Sequence, residues 1–200
     1  MPIDEQIRQR LYRHVDVLSE LIGPRNTQRP SALDAAREYI RRDVESLNLP
    51  VHEQPFEAFG RTGLNIELVQ TGSDPALPAL VIGAHYDTVQ ASPGADDNTS
   101  AVAILMEIVR ALAPRQTRRT VRYVFYDCEE PPHFNFGTMG SGAHAQACRK
   151  RGEQLMGMVC LESLGYFVRW PPHIPATVRP SQNGRHHRLD VARSMLDVGR

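Results

Sequence analysis

Cysteine is scarce in this chain: Cys128, Cys148 and Cys160 are odd in number and form no C-x-x-C pair. A disulfide framework and a cysteine-rich zinc site are therefore excluded, and a reducing compartment fits. Net charge is lacking too. Lys+Arg and Asp+Glu both number 23, so no bulk field draws the chain toward nucleic acid or an anionic membrane. Nor does any apolar run reach the ~18 residues of a membrane span. The N-terminus, MPIDEQIRQRLYRHVDVL, carries charges where a signal peptide has an apolar core. These absences lead us to expect a soluble, cytoplasmic protein with neither a nucleic-acid nor a membrane partner. What the 200 residues do hold is 41% hydrophobic content, enough for one substantial core, and 15 prolines to turn the chain around it.

The apolar pattern changes period along the chain. Ile7, Leu11, Val15, Leu18 and Ile22 fall at helical spacing, which predicts a helix over Ile3–Ile22 stopped by Gly23-Pro24. A second helix is predicted from a Ser31 N-cap to about Leu47. Strands over Val51–Phe59 and Leu64–Val69 follow, with Gly60 and Gly63 as the hairpin turn. The second half alternates: strand Leu80–Ala84, helix Thr99–Leu112, strand Val121–Tyr126, helix Gly142–Arg151 and strand Met156–Leu161. Its strands (ALVIGA, VRYVFY, MGMVCL) are nearly continuous apolar runs, the pattern of strands covered on both faces. The fold class expected is α/β, a three-layer α/β/α sandwich around a mixed, largely parallel sheet.

Each of these three strands runs directly into residues that bind metals. His85 and Asp87 follow the first, Asp127, Glu129 and Glu130 the second, and Glu162 the third. The loop Gly94-Ala95-Asp96-Asp97-Asn98 adds carboxylates before a helix. Any one of these has a bland reading as an N-cap or a solvated turn. Their convergence on the carboxyl rim of one sheet favours a metal site instead, because clustered carboxylates repel one another unless a cation neutralises them. Asp87, two residues beyond His85, is placed to hold the second ring nitrogen of a metal-bound histidine.

The motifs GAHYDTV (Gly83–Val89), PGADDNTSAVA (Pro93–Ala103), VRYVFYDCEEPP (Val121–Pro132), MGS (Met139–Ser141) and CLESLGYF (Cys160–Phe167) together resemble the co-catalytic dizinc exopeptidases. Bacterial leucyl aminopeptidases typify that family, and glutamate carboxypeptidase and glutaminyl cyclase are relatives. The resemblance implies that His85 and Glu162 bind one zinc, that Asp97 bridges to a second, and that Glu130 binds the second. It also implies that Glu129 is the general base, that Asp87 orients His85, and that the Asp97–Asn98 peptide bond is cis. The implied activity is zinc-dependent exopeptidase, most simply an aminopeptidase acting on a peptide or amino-acid derivative. The alternatives are an inactive metal-binding remnant and a single-zinc acyltransferase of the glutaminyl cyclase kind. Ser141 lacks the first glycine of G-x-S-x-G and reads as a helix N-cap, which sets a serine hydrolase aside. Carboxylates around Cys128 argue against a thiolate nucleophile.

The family's fifth ligand is a histidine far downstream, and the sequence after Phe167 does not continue the family pattern. We expect a catalytic domain over 1–167, an unrelated tail over 168–200, an incomplete sheet, and a gene or frame interruption near Phe167–Val168. His173, His186 and His187 are the tail's candidates for the missing ligand. Without a replacement, one zinc is expected to bind tightly and the other weakly or not at all.

Overall fold

A computed structural model describes residues 4–165 of the protein. The first helix forms as its spacing predicts: α1 (Glu5–Val15) is capped by the Asp4 carboxylate, which accepts the Gln6 amide at 2.7 Å. It continues as a wider π-helical stretch, Asp16–Ile22, ending at Gly23 with φ 75°. Helix α2 (Pro30–Glu45) starts two residues earlier than expected, with Arg29 rather than Ser31 at its N-cap. Proline opens it instead, because its fixed φ suits the first turn and its missing N–H is one that no helical bond would use.

Strands β1 (Val51–Ala58) and β2 (Arg61–Gln70) form an antiparallel hairpin whose two-residue turn is Phe59-Gly60. Gly63, expected in that turn, lies within β2 opposite Phe56, whose ring fills the space a Cβ would need. Three more strands complete the sheet: β3 (Ala79–His85), β4 (Val121–Tyr126) and β5 (Leu155–Cys160), in the order β1-β2-β4-β3-β5. β3 runs parallel to both β4 and β5, while the hairpin side is antiparallel, so the sheet is mixed as expected.

Helix α3 (Ala101–Leu112) connects β3 to β4 and packs with α1 and α2 on one face. The short α4 (His133–Phe136) and then α5 (Gly140–Lys150) connect β4 to β5, and α5 lies over β1 and β2. Ser141 sits inside α5, whose N-cap is Met139. The α3 face is apolar: Val102, Leu105, Met106 and Val109 meet Leu18, Ile40, Ile82 and Phe125, all buried. Each such side chain contributes roughly 1.5–3 kcal/mol by leaving water. The α5 face is held by a polar lock instead. Burial alone would raise the Glu67 carboxyl, but hydrogen bonds from His144 (3.1 Å) and Arg122 (2.8 Å) outweigh it and bring it down to about 2.

One expectation about coverage fails. β5 was read as buried on both faces, yet Leu155, Met156 and Met158 are 39–46% exposed. Among the described residues it pairs only with β3, at the edge of the sheet, and an apolar run cannot report which of its faces has a neighbour. No helix among the described residues is long and apolar enough to cross a membrane.

The connectivity fixes where a ligand can sit. The chain leaves β3 toward the α3 face and leaves neighbouring β4 toward the α5 face, so a crevice opens between their carboxyl ends.

Candidate metal centre

His85 ends β3 in that crevice and is 4% exposed. Its Nδ1 faces Asp87, 3.2 Å from the backbone oxygen and 3.3 Å from Oδ1, so the proton belongs on Nδ1. Nε2 faces carboxylates: Asp97 Oδ1 at 3.1 Å, Glu162 Oε2 at 3.5 Å and Glu129 Oε2 at 3.8 Å, so without a metal it carries a proton toward them and with one it gives that proton up. Donor atoms of His85, Asp97 and Glu130 all lie within 4.8 Å of one another. The six residues to which the resemblance gave roles are thus brought together, whereas Asp127, also expected among the metal-binding residues, turns instead to Arg37 and the Leu64 amide.

Asp87 does more than face the histidine. Its carboxylate accepts the Glu129 amide (3.0 Å) and the Glu130 amide (3.1 Å), which ties the end of β3 to the loop after β4. That loop bends at Cys128, whose φ is 56°. Both carboxylates consequently reach the same cluster. Asp87→Ala would leave two amide donors without acceptors and His85 Nδ1 with only the backbone oxygen of residue 87. Zinc affinity is expected to fall about 10- to 100-fold, measurable by competition with a chromogenic chelator.

Several framework contacts had no visible signal in the sequence. Asn98, fully buried, donates to the Leu161 oxygen (3.1 Å) and Glu162 Oε2 (3.3 Å) and accepts the Ser163 amide (3.0 Å). It thereby fixes Glu162 against the Asp97 loop. The Asp97–Asn98 bond is cis, as the resemblance implied. Gly94 starts this loop at φ 67°, and a Cβ there would come within 2.5 Å of Thr88 and the Asp97 oxygen. Buried Asp127 accepts the Leu64 amide (3.0 Å) and pairs with Arg37, which in turn donates to the Tyr86 hydroxyl (2.7 Å). Arg25 is wholly buried and donates to the oxygens of Tyr86 (2.6 Å), Leu18 (2.9 Å) and Pro93 (2.9 Å) and to Thr99 Oγ1 (2.6 Å).

The electrostatics are those of a cation site. Burial and the charge of Asp97 push Glu130 up to about 7, with His85 opposing. Glu129 is also raised, first by burial and then by Asp87, Glu162 and Asp97. Burial would lower His85, but its contacts with Asp87, Asp97 and Glu162 prevail and hold it at about 12. Nitrogen and oxygen donors bound at ~2.0–2.1 Å in a tetrahedral shell sit about 3.3 Å apart, which the His85 spacings match. The residues fit a zinc ion. Cys128, by contrast, is pushed far up by burial and by Asp127 and Asp87, which excludes it as a nucleophile.

His85 loses its proton near 6.5 when unfolded but only near 12 when folded. Its stabilising contribution is therefore complete below 6.5 and lost as pH rises toward 12. Chelator-treated protein is expected to lose about 2–3 kcal/mol from this residue between about pH 7 and 9, read as a falling urea midpoint. Saturating zinc, which requires neutral imidazole, should remove that fall. A flat profile without zinc would contradict the assembled cluster.

The sequence pattern of peptidase family M28 matches residues 65–169, which spans every residue of this cluster. The chain belongs to peptidase family M28. This M28 chain is 34% identical over 171 residues to the uncharacterized protein YfbL of Escherichia coli K12, covering 82% of this chain and 51% of YfbL. It spans about half the length, or less, of the curated relatives it matches. A Porphyromonas gingivalis glutaminyl cyclase superposes with a TM-score of 0.64 at 22% identity, covering 78% of this chain and 58% of that one. A zinc aminopeptidase from Bacillus subtilis gives 0.58 at 15% identity, covering 69% and 64%. Both likenesses establish the fold. His173, His186 and His187 lie outside the described residues.

Proposed function

We propose that the M28 chain acts as a zinc-dependent exopeptidase, removing N-terminal residues from peptides. One observation carries the reading: His85 Nε2 faces Asp97, Glu162 and Glu129 while Asp87 holds both its other nitrogen and the Glu129-Glu130 amides. His85, Asp97 and Glu162 would hold one zinc, and Asp97 with Glu130 a second. The first binds tightly and the second weakly, since two carboxylates are all that is assigned to it among the described residues. Bound zinc would supply Lewis acidity, polarising the scissile carbonyl and acidifying a water.

The chain's own residues do the rest. Glu129 is half-buried, and burial raises its pKa, which suits it to take up and return a proton. It takes a proton from the attacking water and delivers it to the leaving amine. Asp87 holds the Glu129 backbone through that exchange, and Asn98 keeps Glu162 in reach of His85.

Hydrolysis of leucine p-nitroanilide by the full chain, lost on chelation and restored by zinc, is the expected result. Zinc binding without any hydrolysis would instead mark an inactive remnant. Ring closure of an N-terminal glutamine peptide, with no anilide hydrolysis, would mark a glutaminyl cyclase activity.

A further inference from the structure

Immediately beyond the glutamates, the chain builds a second cleft that the metal cluster does not use. It measures about 270 Å³ and is walled by Phe59, Pro132, His133 and Phe136, with Arg61 at its rim. A narrower cavity of about 90 Å³ shares Ala58 and Arg61 with it and reaches Asp127 and Cys128. The two cavities therefore flank the stretch that carries Glu129 and Glu130. His133 donates its amide to the Glu130 oxygen at 3.0 Å, so cleft wall and glutamate belong to one turn of chain. A turn of that kind keeps its end Cα atoms within about 7 Å, roughly two residues of extended peptide.

The lining has a definite chemistry. Phe59 lies 5.4 Å from the His133 ring and 5.6 Å, edge-on, from Phe136. Phe59 is 50% exposed and Phe136 69%, so their faces are open to an apolar guest. Phe59 also occupies a hairpin-turn position at φ 51°, where a bulky side chain is strained and Asn, Asp or Gly is the usual choice. Arg61 donates to the Thr27 oxygen at 2.8 Å but has no carboxylate partner among the described residues. His133 is 4% exposed; its Nδ1 is engaged by Thr138 Oγ1 at 3.0 Å, while its Nε2 is buried without a partner. An unpaired buried donor or acceptor is costly and marks a place where a ligand group completes the bonding.

Apolar walls, an unpaired guanidinium and an unpartnered imidazole nitrogen together suit an apolar amino-acid residue ending in a carboxylate. We infer that this cleft receives the leaving-group residue of the substrate: its side chain lies between Phe59 and Phe136, and its free α-carboxylate is held by Arg61 and His133. The inference rests on the exopeptidase reading and sharpens it, making the preferred substrates dipeptides with an apolar C-terminal residue. The orientation follows from proton delivery. Glu129 protonates the leaving amine, and the residue bearing that amine lies on the Glu129–His133 side.

The test compares Leu-Phe, Leu-Phe-amide and Leu-Gly with the full-length chain and its Arg61→Gln and Phe136→Ala variants, both altered at exposed positions. Wild type is expected to cleave Leu-Phe with a kcat/KM at least about tenfold above that of the amide, the worth of a charge-assisted hydrogen bond. Arg61→Gln should bring the acid-to-amide ratio near one, and Phe136→Ala should lower the Leu-Phe to Leu-Gly ratio. Equal rates for acid and amide, or a ratio untouched by Arg61→Gln, overturn the inference. If no substrate is cleaved, the exopeptidase reading fails, and the cleft is judged by binding alone. Millimolar L-phenylalanine should then shift the His133 imidazole signals in the NMR spectrum of the ¹⁵N-histidine-labelled chain, and Arg61→Gln should abolish the shift. An unmoved His133 signal refutes the cleft as a carboxylate site.

Discussion

Glu129→Gln is expected to lower kcat for leucine p-nitroanilide by about a hundredfold to ten-thousandfold, the range a positioned general base supplies. That corresponds to roughly 3–5.5 kcal/mol of transition-state stabilisation. Glutamine keeps the size and the backbone of Glu129, whose amide is held by Asp87 at 3.0 Å, so the loop should stay in place. Zinc content should stay as well, because Glu129 is assigned no metal. Glu130→Gln, by contrast, should reduce zinc occupancy along with activity. KM is expected to change little in Glu129→Gln, since the lost proton exchange belongs to the transition state. Measured kcat within a few-fold of wild type would remove Glu129 from the mechanism. The acidic limb of the wild-type pH–rate profile should disappear with it, because activity requires ionised Glu129 and is lost as pH falls through its pKa.

The second large effect is on stability. Arg25→Ala is expected to destabilise the chain by about 3–5 kcal/mol, seen as a lower urea midpoint at an unchanged slope. Arg25 is fully buried, and burial brings its guanidinium down to about 10, so it remains charged at neutral pH. Its donors satisfy the oxygens of Leu18, Tyr86 and Pro93 and the hydroxyl of Thr99, and its own amide donates to Thr88 Oγ1 at 3.0 Å. Truncation keeps the backbone bond to Thr88 but strips the Leu18, Tyr86, Pro93 and Thr99 acceptors of their partners at once, each at a cost of about 1–3 kcal/mol before relaxation. Lysine is no remedy, because one ammonium cannot span acceptors that a planar fork of five N–H groups reaches. The segments released are the ends of the site itself: Tyr86 lies between His85 and Asp87, and Pro93 opens the loop to Asp97. A change under about 1 kcal/mol would mean that water replaces the guanidinium freely.

The metal cluster was legible in the sequence because His85, Glu130 and Glu162 lie at or just beyond strand ends, with Asp97 added by the loop before α3. Apolar runs such as ALVIGA and VRYVFY identify buried strands, and the first polar residue after such a run emerges at the sheet's rim. Arg25 and Asn98 were not legible. An arginine after Gly-Pro reads as a surface residue, and its partners lie up to 74 positions away, so only the folded chain reveals its role. Asn98 likewise reaches residues 63 to 65 positions onward. The helix starts at Ser31 and Ser141 were misjudged because capping is a weak local preference, overridden here by Pro30 and by the tight packing of Gly140 against Asn65 and Asp127. The second cleft escaped notice for the same reason as Arg25: it is assembled from the hairpin turn at Phe59 and a loop more than seventy residues later.

The most direct test of the account is to measure zinc content and leucine p-nitroanilide hydrolysis on one preparation of the full chain, beside His85→Ala. The account predicts at least one zinc per wild-type chain, zinc-dependent hydrolysis, and loss of both in the variant. Wild-type protein that binds no more zinc than His85→Ala, and hydrolyses nothing, would contradict it.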